Sequence, residues 1–94
     1  MFKNYTLVSG ATFRQRIPRD KLVEFTTINN NGQFWVGNGN RITRMQVQAT
    51  DDYIELLITN TASFTKGDYE FKVLATNDFG DSVVLVYGSI RVHG

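Results

Sequence analysis

Apolar and polar residues alternate with period two over most of the chain, and clusters of Gly, Asn and Asp interrupt the alternation at short intervals. Successive side chains of an extended strand point to opposite faces, so this pattern predicts half-buried strands. Residues 4–8 form a first edge strand. Residues 11–17 place Ala11, Phe13, Gln15 and Ile17 on one face and Thr12, Arg14 and Arg16 on the other. Pro18 ends that strand, because it has no N–H to give to a ladder. Residues 21–28 read as a further strand with Val23 and Phe25 on one face. An Asn-Asn-Asn-Gly turn at 29–32 leads to a short strand, 33–36, carrying Trp35, and a Gly-Asn-Gly-Asn turn follows at 37–40.

Residues 41–49 align Thr43, Met45, Val47 and Ala49 against Arg44, Gln46 and Gln48. Beyond a turn at Asp51-Asp52, residues 53–59 direct Ile54, Leu56 and Ile58 inward. The alternation lapses over residues 60–67, where one helical turn is predicted at 61–64. It resumes over 68–76 with Tyr69, Phe71, Val73 and Ala75 on one face and Glu70 and Lys72 on the other. Residues 77–81 connect a hairpin. Residues 82–92 form a long last strand in which Gly88 marks a bulge or a close backbone approach. About eight short strands with turns between them predict an all-β sandwich, with a small closed barrel as the alternative.

Composition supports this reading. The 94 residues suit one domain, predicted to span 1–94. Hydrophobic residues at 41% and charged residues at 20% match a globular chain and argue against disorder. Aromatics are abundant and favour strands. There is no cysteine, so neither a disulfide nor a thiolate metal site can form. No apolar run approaches the ~20 residues of a membrane-spanning helix. The opening MFKNYTLVSG lacks the apolar stretch of a signal peptide, so synthesis in a cytoplasm is expected, with a leader removed upstream left open. A net charge of +1 lacks the basic excess of a nucleic-acid domain.

Reactive constellations are sparse. A Ser-His-Asp arrangement would depend on His93, the sole histidine, on a terminus expected to fray. Glycoside hydrolysis needs two carboxylates facing across a cleft, whereas Asp51-Asp52 and Asp78/Asp81 read as turn formers. Without a spaced Asp-x-Asp-x-Asp run, Asp78 and Asp81 do not suggest calcium. Gly37-x-Gly39 lacks the strand–helix setting of a phosphate loop. No enzyme is therefore expected, and no catalytic, metal-binding or cofactor-binding residue. Arg14, Arg16, Arg19 and Lys21 cluster on one strand and its following turn. They read either as a patch for an acidic partner or as a solvated face that guards an edge against aggregation.

The stretch Lys66-Gly67-Asp68-Tyr69-Glu70-Phe71 followed by Ala75-Thr76-Asn77-Asp78-Phe79-Gly80-Asp81-Ser82 resembles the F–G hairpin of immunoglobulin-like domains. The resemblance implies an immunoglobulin-like β-sandwich of about seven to eight strands, in which the Tyr69 hydroxyl bonds back to the backbone and pins a corner. It puts Phe71 where the family's second cysteine would stand and Trp35 in the role of the strand-C tryptophan. Plain core packing of these three aromatics fits equally well. The expected core is Phe13, Phe25, Trp35, Val47, Leu56, Tyr69 and Phe71.

A second resemblance covers roughly residues 10–92. Gly10-Ala11-Thr12-Phe13, then Thr61-Ala62-Ser63-Phe64-Thr65-Lys66-Gly67-Asp68-Tyr69, then Val86-Tyr87-Gly88-Ser89-Ile90-Arg91-Val92 are similar in order and spacing to small virion proteins of tailed bacteriophages with immunoglobulin-like or related sandwich folds. Glu70 stands where that group often has Asp, and residues 29–40 have no counterpart. The resemblance implies a structural role in the virion, after synthesis in the host cytoplasm: capsid decoration, neck, tail or fibre attachment. Expected partners are other capsid, neck or tail proteins, or further copies of the chain, with no nucleic acid, membrane or cofactor. Candidate contact residues are Phe34, Asn38, Asn40, Asn77, Phe79 and Tyr87, because exposed aromatics framed by adaptable polar side chains make good anchors. The alternative is an immunoglobulin-like adhesion or carbohydrate-binding module of a cell-surface protein.

Overall fold

The computed structural model describes the backbone of residues 1–29, 33–38 and 41–94, and the side chains of residues 1–29 and 45–94. The described residues form strands β1 (Phe2–Val8), β2 (Phe13–Pro18), β3 (Thr27–Ile28), β4 (Gln33–Asn38), β5 (Arg41–Ala49), β6 (Tyr53–Ile58), β7 (Gly67–Thr76) and β8 (Ser82–His93), with one 3-10 turn at Arg19–Lys21. The fold is all-β.

The strands hydrogen-bond in the order β1-β8-β7-β4-β5-β6-β2, with β3 beside β7. The path folds over into two facing layers, and β5 makes the corner. Its first part pairs with β4, Asn38 opposite Arg41 through Gln33 opposite Gln46. Its last part, from Gln46 to Ala49, pairs with β6. A strand that changes partners in this way passes from one layer to the other. The two ends of the path then meet face to face, with the Tyr5 ring of β1 edge-on to the Phe13 ring of β2 at 5.5 Å.

The core lies between the layers. From β6 come Ile54, Leu56 and Ile58, and from β7 come Tyr69, Phe71, Val73 and Ala75, all buried as their alternation requires. Met45 and Val47 of β5, Phe13 and Ile17 of β2, Leu85, Val86, Ile90 and Val92 of β8, and Leu7, Phe25 and Phe64 complete it. Burial of each such side chain contributes roughly 1.5–3 kcal/mol, so this cluster rather than the surface ion pairs holds the layers together. The Trp35 side chain, expected in the core, lies outside the described side chains.

The structure corrects the sequence reading at several points. Residues 21–28 are not one strand: only Thr27 and Ile28 pair, opposite Thr76 and Ala75. Phe25 is buried but Val23 is exposed. Arg19 explains the difference. Its guanidinium donates to the carbonyls of Thr50 and Phe25 and lies over the Phe25 ring at 4.1 Å. Phe25 is thus folded inward under a cation rather than held by a ladder. Gly37 and Asn38, expected in a turn, continue β4 in register with Ile42 and Arg41. Ala11 and Ala49 are exposed despite their alternation with core residues; Ala11 precedes β2, and Ala49 is the last residue of β5.

In β8 the extra residue sits at Leu85. Val73 pairs with Val86 and Leu74 with Val84, so Leu85 and Val86 both turn inward across the bulge. Gly88 is a close-approach point instead. It holds φ +154°, and a side chain there would collide with the Lys3 carbonyl of β1. The helical turn expected at residues 61–64 is a single turn closed by the Phe64 N–H donating to the Thr61 carbonyl at 3.1 Å.

Candidate functional site

The β7–β8 hairpin carries the most exposed large apolar side chain among the described residues, Phe79 at 88%. Its loop is braced by one residue. The Asn77 side-chain oxygen accepts the N–H groups of Phe79 at 3.0 Å and Asp81 at 2.9 Å. The Asn77 N–H donates to the Asp81 carbonyl and its carbonyl accepts from Gly80. Asparagine closes loops in this way because its short amide reaches its own downstream backbone. Asn77 therefore supports the tip, and Phe79 is what the tip presents. Asp78 and Asp81 flank it as exposed loop residues.

Tyr87 lies elsewhere, on the outer face of β8. It is half exposed and packs edge-on against Phe2 of β1 with ring centroids 5.4 Å apart. The parallel β1–β8 register places the two side by side, with Lys72 of β7 on the other flank of Tyr87. Phe2 lies outside the expected first strand, residues 4–8, whereas β1 begins at Phe2. The signal was present: Phe2, Asn4 and Thr6 alternate with Tyr5 and Leu7, which face the core. A shallow groove beside these rings is lined by Phe2, Glu70, Lys72, Tyr87 and Ser89. Of the other candidates, the side chains of Phe34 and Asn38 and the whole of Asn40 lie outside the described residues. Asn77, Phe79 and Tyr87 do not form one site, since the loop tip and the outer face of β8 are separate surfaces.

The basic cluster is divided. Arg14 and Arg16 project from the outer face of β2, where Glu55 of β6 faces both, 2.9 Å from Arg16 and 3.9 Å from Arg14. The Arg16 guanidinium also lies over the Tyr53 ring at 4.8 Å. Arg19 is the structural clip described above. The four basic residues are thus not a uniform patch.

Two polar groups do much of the positioning: Thr61 carries little sequence signal, whereas the Tyr69 bond is the one that the immunoglobulin-like resemblance implies. Thr61 is a fully buried polar side chain, and its hydroxyl donates to the Ala11 carbonyl at 2.6 Å. This ties the β6–β7 connection to the β1–β2 turn. Tyr69 is buried, and its hydroxyl donates to the Thr65 carbonyl at 2.9 Å while accepting the Thr65 N–H at 3.2 Å.

On the outer face near the far end of β7, Asp68 accepts from the Arg91 guanidinium at 2.9 Å. That hydrogen bond, with the cation's charge, holds the Asp68 carboxyl below its ordinary pKa. Tyr5, partly buried against Phe13 and Phe71, has its phenol pushed upward by burial. Among the described residues, no three histidine, aspartate or glutamate side chains gather as metal ligands. No protein-family model matches the chain, and no curated protein is detectably similar to it.

Proposed function

We propose that this chain is a non-enzymatic structural protein of a tailed-phage virion, an immunoglobulin-like domain over residues 1–94 that docks in many copies onto a larger assembly. The observation that carries the docking role is Phe79. A large apolar side chain held in water on a loop closed by its own hydrogen bonds is preorganised for burial against a partner, and preorganisation lowers the ordering cost of binding.

The immunoglobulin-like reading, with about seven to eight strands, is supported by topology and by one corner. In such a fold a β8-β7-β4 layer corresponds to G, F and C, β6 and β2 to E and B, and β1 to a first strand lying parallel to G. The Tyr69 hydroxyl reaches back to the backbone of Thr65 at the entry to β7, as a tyrosine corner does. The phage role rests on the resemblance over residues 10–92. Repetition on a symmetric particle would turn a modest contact into a durable one through avidity.

The direct test is mass spectrometry of purified particles from a phage that encodes the chain, comparing the wild type with Phe79→Ser. The wild-type chain should co-purify with intact particles, and the Phe79→Ser chain should be lost from them while remaining folded. A wild-type chain absent from intact particles would overturn the proposal, as would a variant retained at full occupancy.

A further inference from the structure

We infer that the outer face of β1, β8 and β7 is a self-association surface, and that its occupant is a second copy of this chain. The reasoning starts from register. Strand pairing sets three outward rows on this face: Phe2, Tyr87 and Lys72; then Asn4, Ser89 and Glu70; then Thr6, Arg91 and Asp68. Each row crosses β1, β8 and β7 in that order. The intervening positions Tyr69, Phe71, Ile90 and Leu7 are buried, which fixes the direction of the others.

The first two rows are opposites. The first has two aromatic rings packed edge to face, followed by a cation. The second is low and polar, with the Ser89 hydroxyl hydrogen-bonded to the Asn4 side chain at 2.7 Å, followed by an anion. The groove lined by Phe2, Tyr87 and Ser89 runs between them. A two-fold axis running across the strands, between these rows, lays the first row of one copy over the second row of its partner. Phe2 then covers Asn4, Tyr87 covers Ser89 and Lys72 meets Glu70, and each match occurs twice. Large side chains meet small ones and opposite charges meet, as an isologous interface demands.

Charge complementarity selects a second copy over an unrelated partner. Glu70 and Lys72 are both exposed, and neither has an ion-pair partner among the described residues. In the third row, by contrast, Asp68 and Arg91 already satisfy each other within one chain. The unsatisfied pair is the one that the two-fold axis pairs across copies. The two rows span three strands of a layer that continues into β4, and a patch of that size gives weak, concentration-dependent association. The inference does not depend on the virion reading, since it concerns the isolated chain.

Sedimentation velocity across a concentration series, with the purified chain, tests it. The wild type should shift from monomer toward dimer as concentration rises. Glu70→Lys and Lys72→Glu each place like charges across the axis and should remain monomeric. The double variant E70K/K72E should recover dimerisation, and so should an equimolar mixture of the two single variants. Both positions are exposed, and unchanged circular dichroism and melting midpoints confirm that the variants fold. A wild type that stays monomeric throughout overturns the proposal and leaves the face to some other partner. A dimer indifferent to both charge reversals, or one that neither the double variant nor the mixture restores, overturns it equally.

Discussion

Lys3 and Gly88 lie opposite one another in the parallel β1–β8 ladder, and the Lys3 backbone fills the space that a side chain on Gly88 would need. The first strand of the chain therefore seats on the last only because that position is glycine. Gly88→Ala should destabilise the protein by about 1–3 kcal/mol, the range for forced overpacking. The effect should be uneven: amide exchange at Tyr5, Thr6 and Leu7 should quicken first, while amides in β6 stay protected. Urea unfolding combined with hydrogen exchange checks both parts. Equal loss of protection in β1 and β6 would contradict the local account.

Tyr69→Phe keeps the buried ring and removes the hydroxyl that serves the Thr65 carbonyl and N–H. The expected cost is about 1–2 kcal/mol, since the lost bonds leave backbone groups to find other partners. The urea midpoint should fall with an unchanged slope, because the fold persists.

Thr61→Val preserves shape but orphans the Ala11 carbonyl. A loss of about 1 kcal/mol is expected for one intramolecular hydrogen bond, and Thr61→Ser should recover most of it. Thermal unfolding of the two variants side by side decides the matter: equal stabilities would mean that the hydroxyl contributes nothing there.

Asp68 titrates below an ordinary aspartate because Arg91 favours its charged form. Its folded pKa is depressed, so the stabilisation it gives is present above the unfolded value of about 3.9 and fades as pH falls through the folded value. Both groups are solvated, so the effect on overall stability is small. The site-specific readout is clearer. Carboxyl carbon shifts followed by NMR should give Asp68 a midpoint below the ordinary aspartate value, and Arg91→Gln should raise it toward that value.

Asn77→Ala and Phe79→Ser should separate bracing from contact. Loss of the Asn77 side-chain oxygen frees the Phe79 and Asp81 N–H groups. It should cost about 1 kcal/mol and raise loop mobility in NMR relaxation. Phe79→Ser removes a solvent-exposed ring and should leave the melting midpoint almost unchanged.

The sequence alone determined the strands whose faces differ. In β6 and β7, buried positions alternate without a break with half-buried or exposed ones, so Ile54, Leu56, Tyr69, Phe71 and Val73 could be read inward from period two alone. The Tyr69 hydrogen bond was legible only through the resemblance of residues 66–82 to an immunoglobulin-like hairpin, which implies a tyrosine hydroxyl bonded back to the backbone. Tertiary structure decided what alternation within one segment cannot carry. Residues 21–28 alternate like a strand, yet Arg19, by bonding the distant Thr50 carbonyl, draws most of that segment out of any ladder. Thr61 is polar and gives no sign of burial until the β1–β2 turn closes over it. Phe2 and Tyr87 stand at opposite ends of the chain and become neighbours only through the β1–β8 pairing. Periodicity records how one segment divides its faces between core and water. Which segments pair, and in which register, is set by contacts between residues far apart in the chain, and the surfaces proposed for binding are made there.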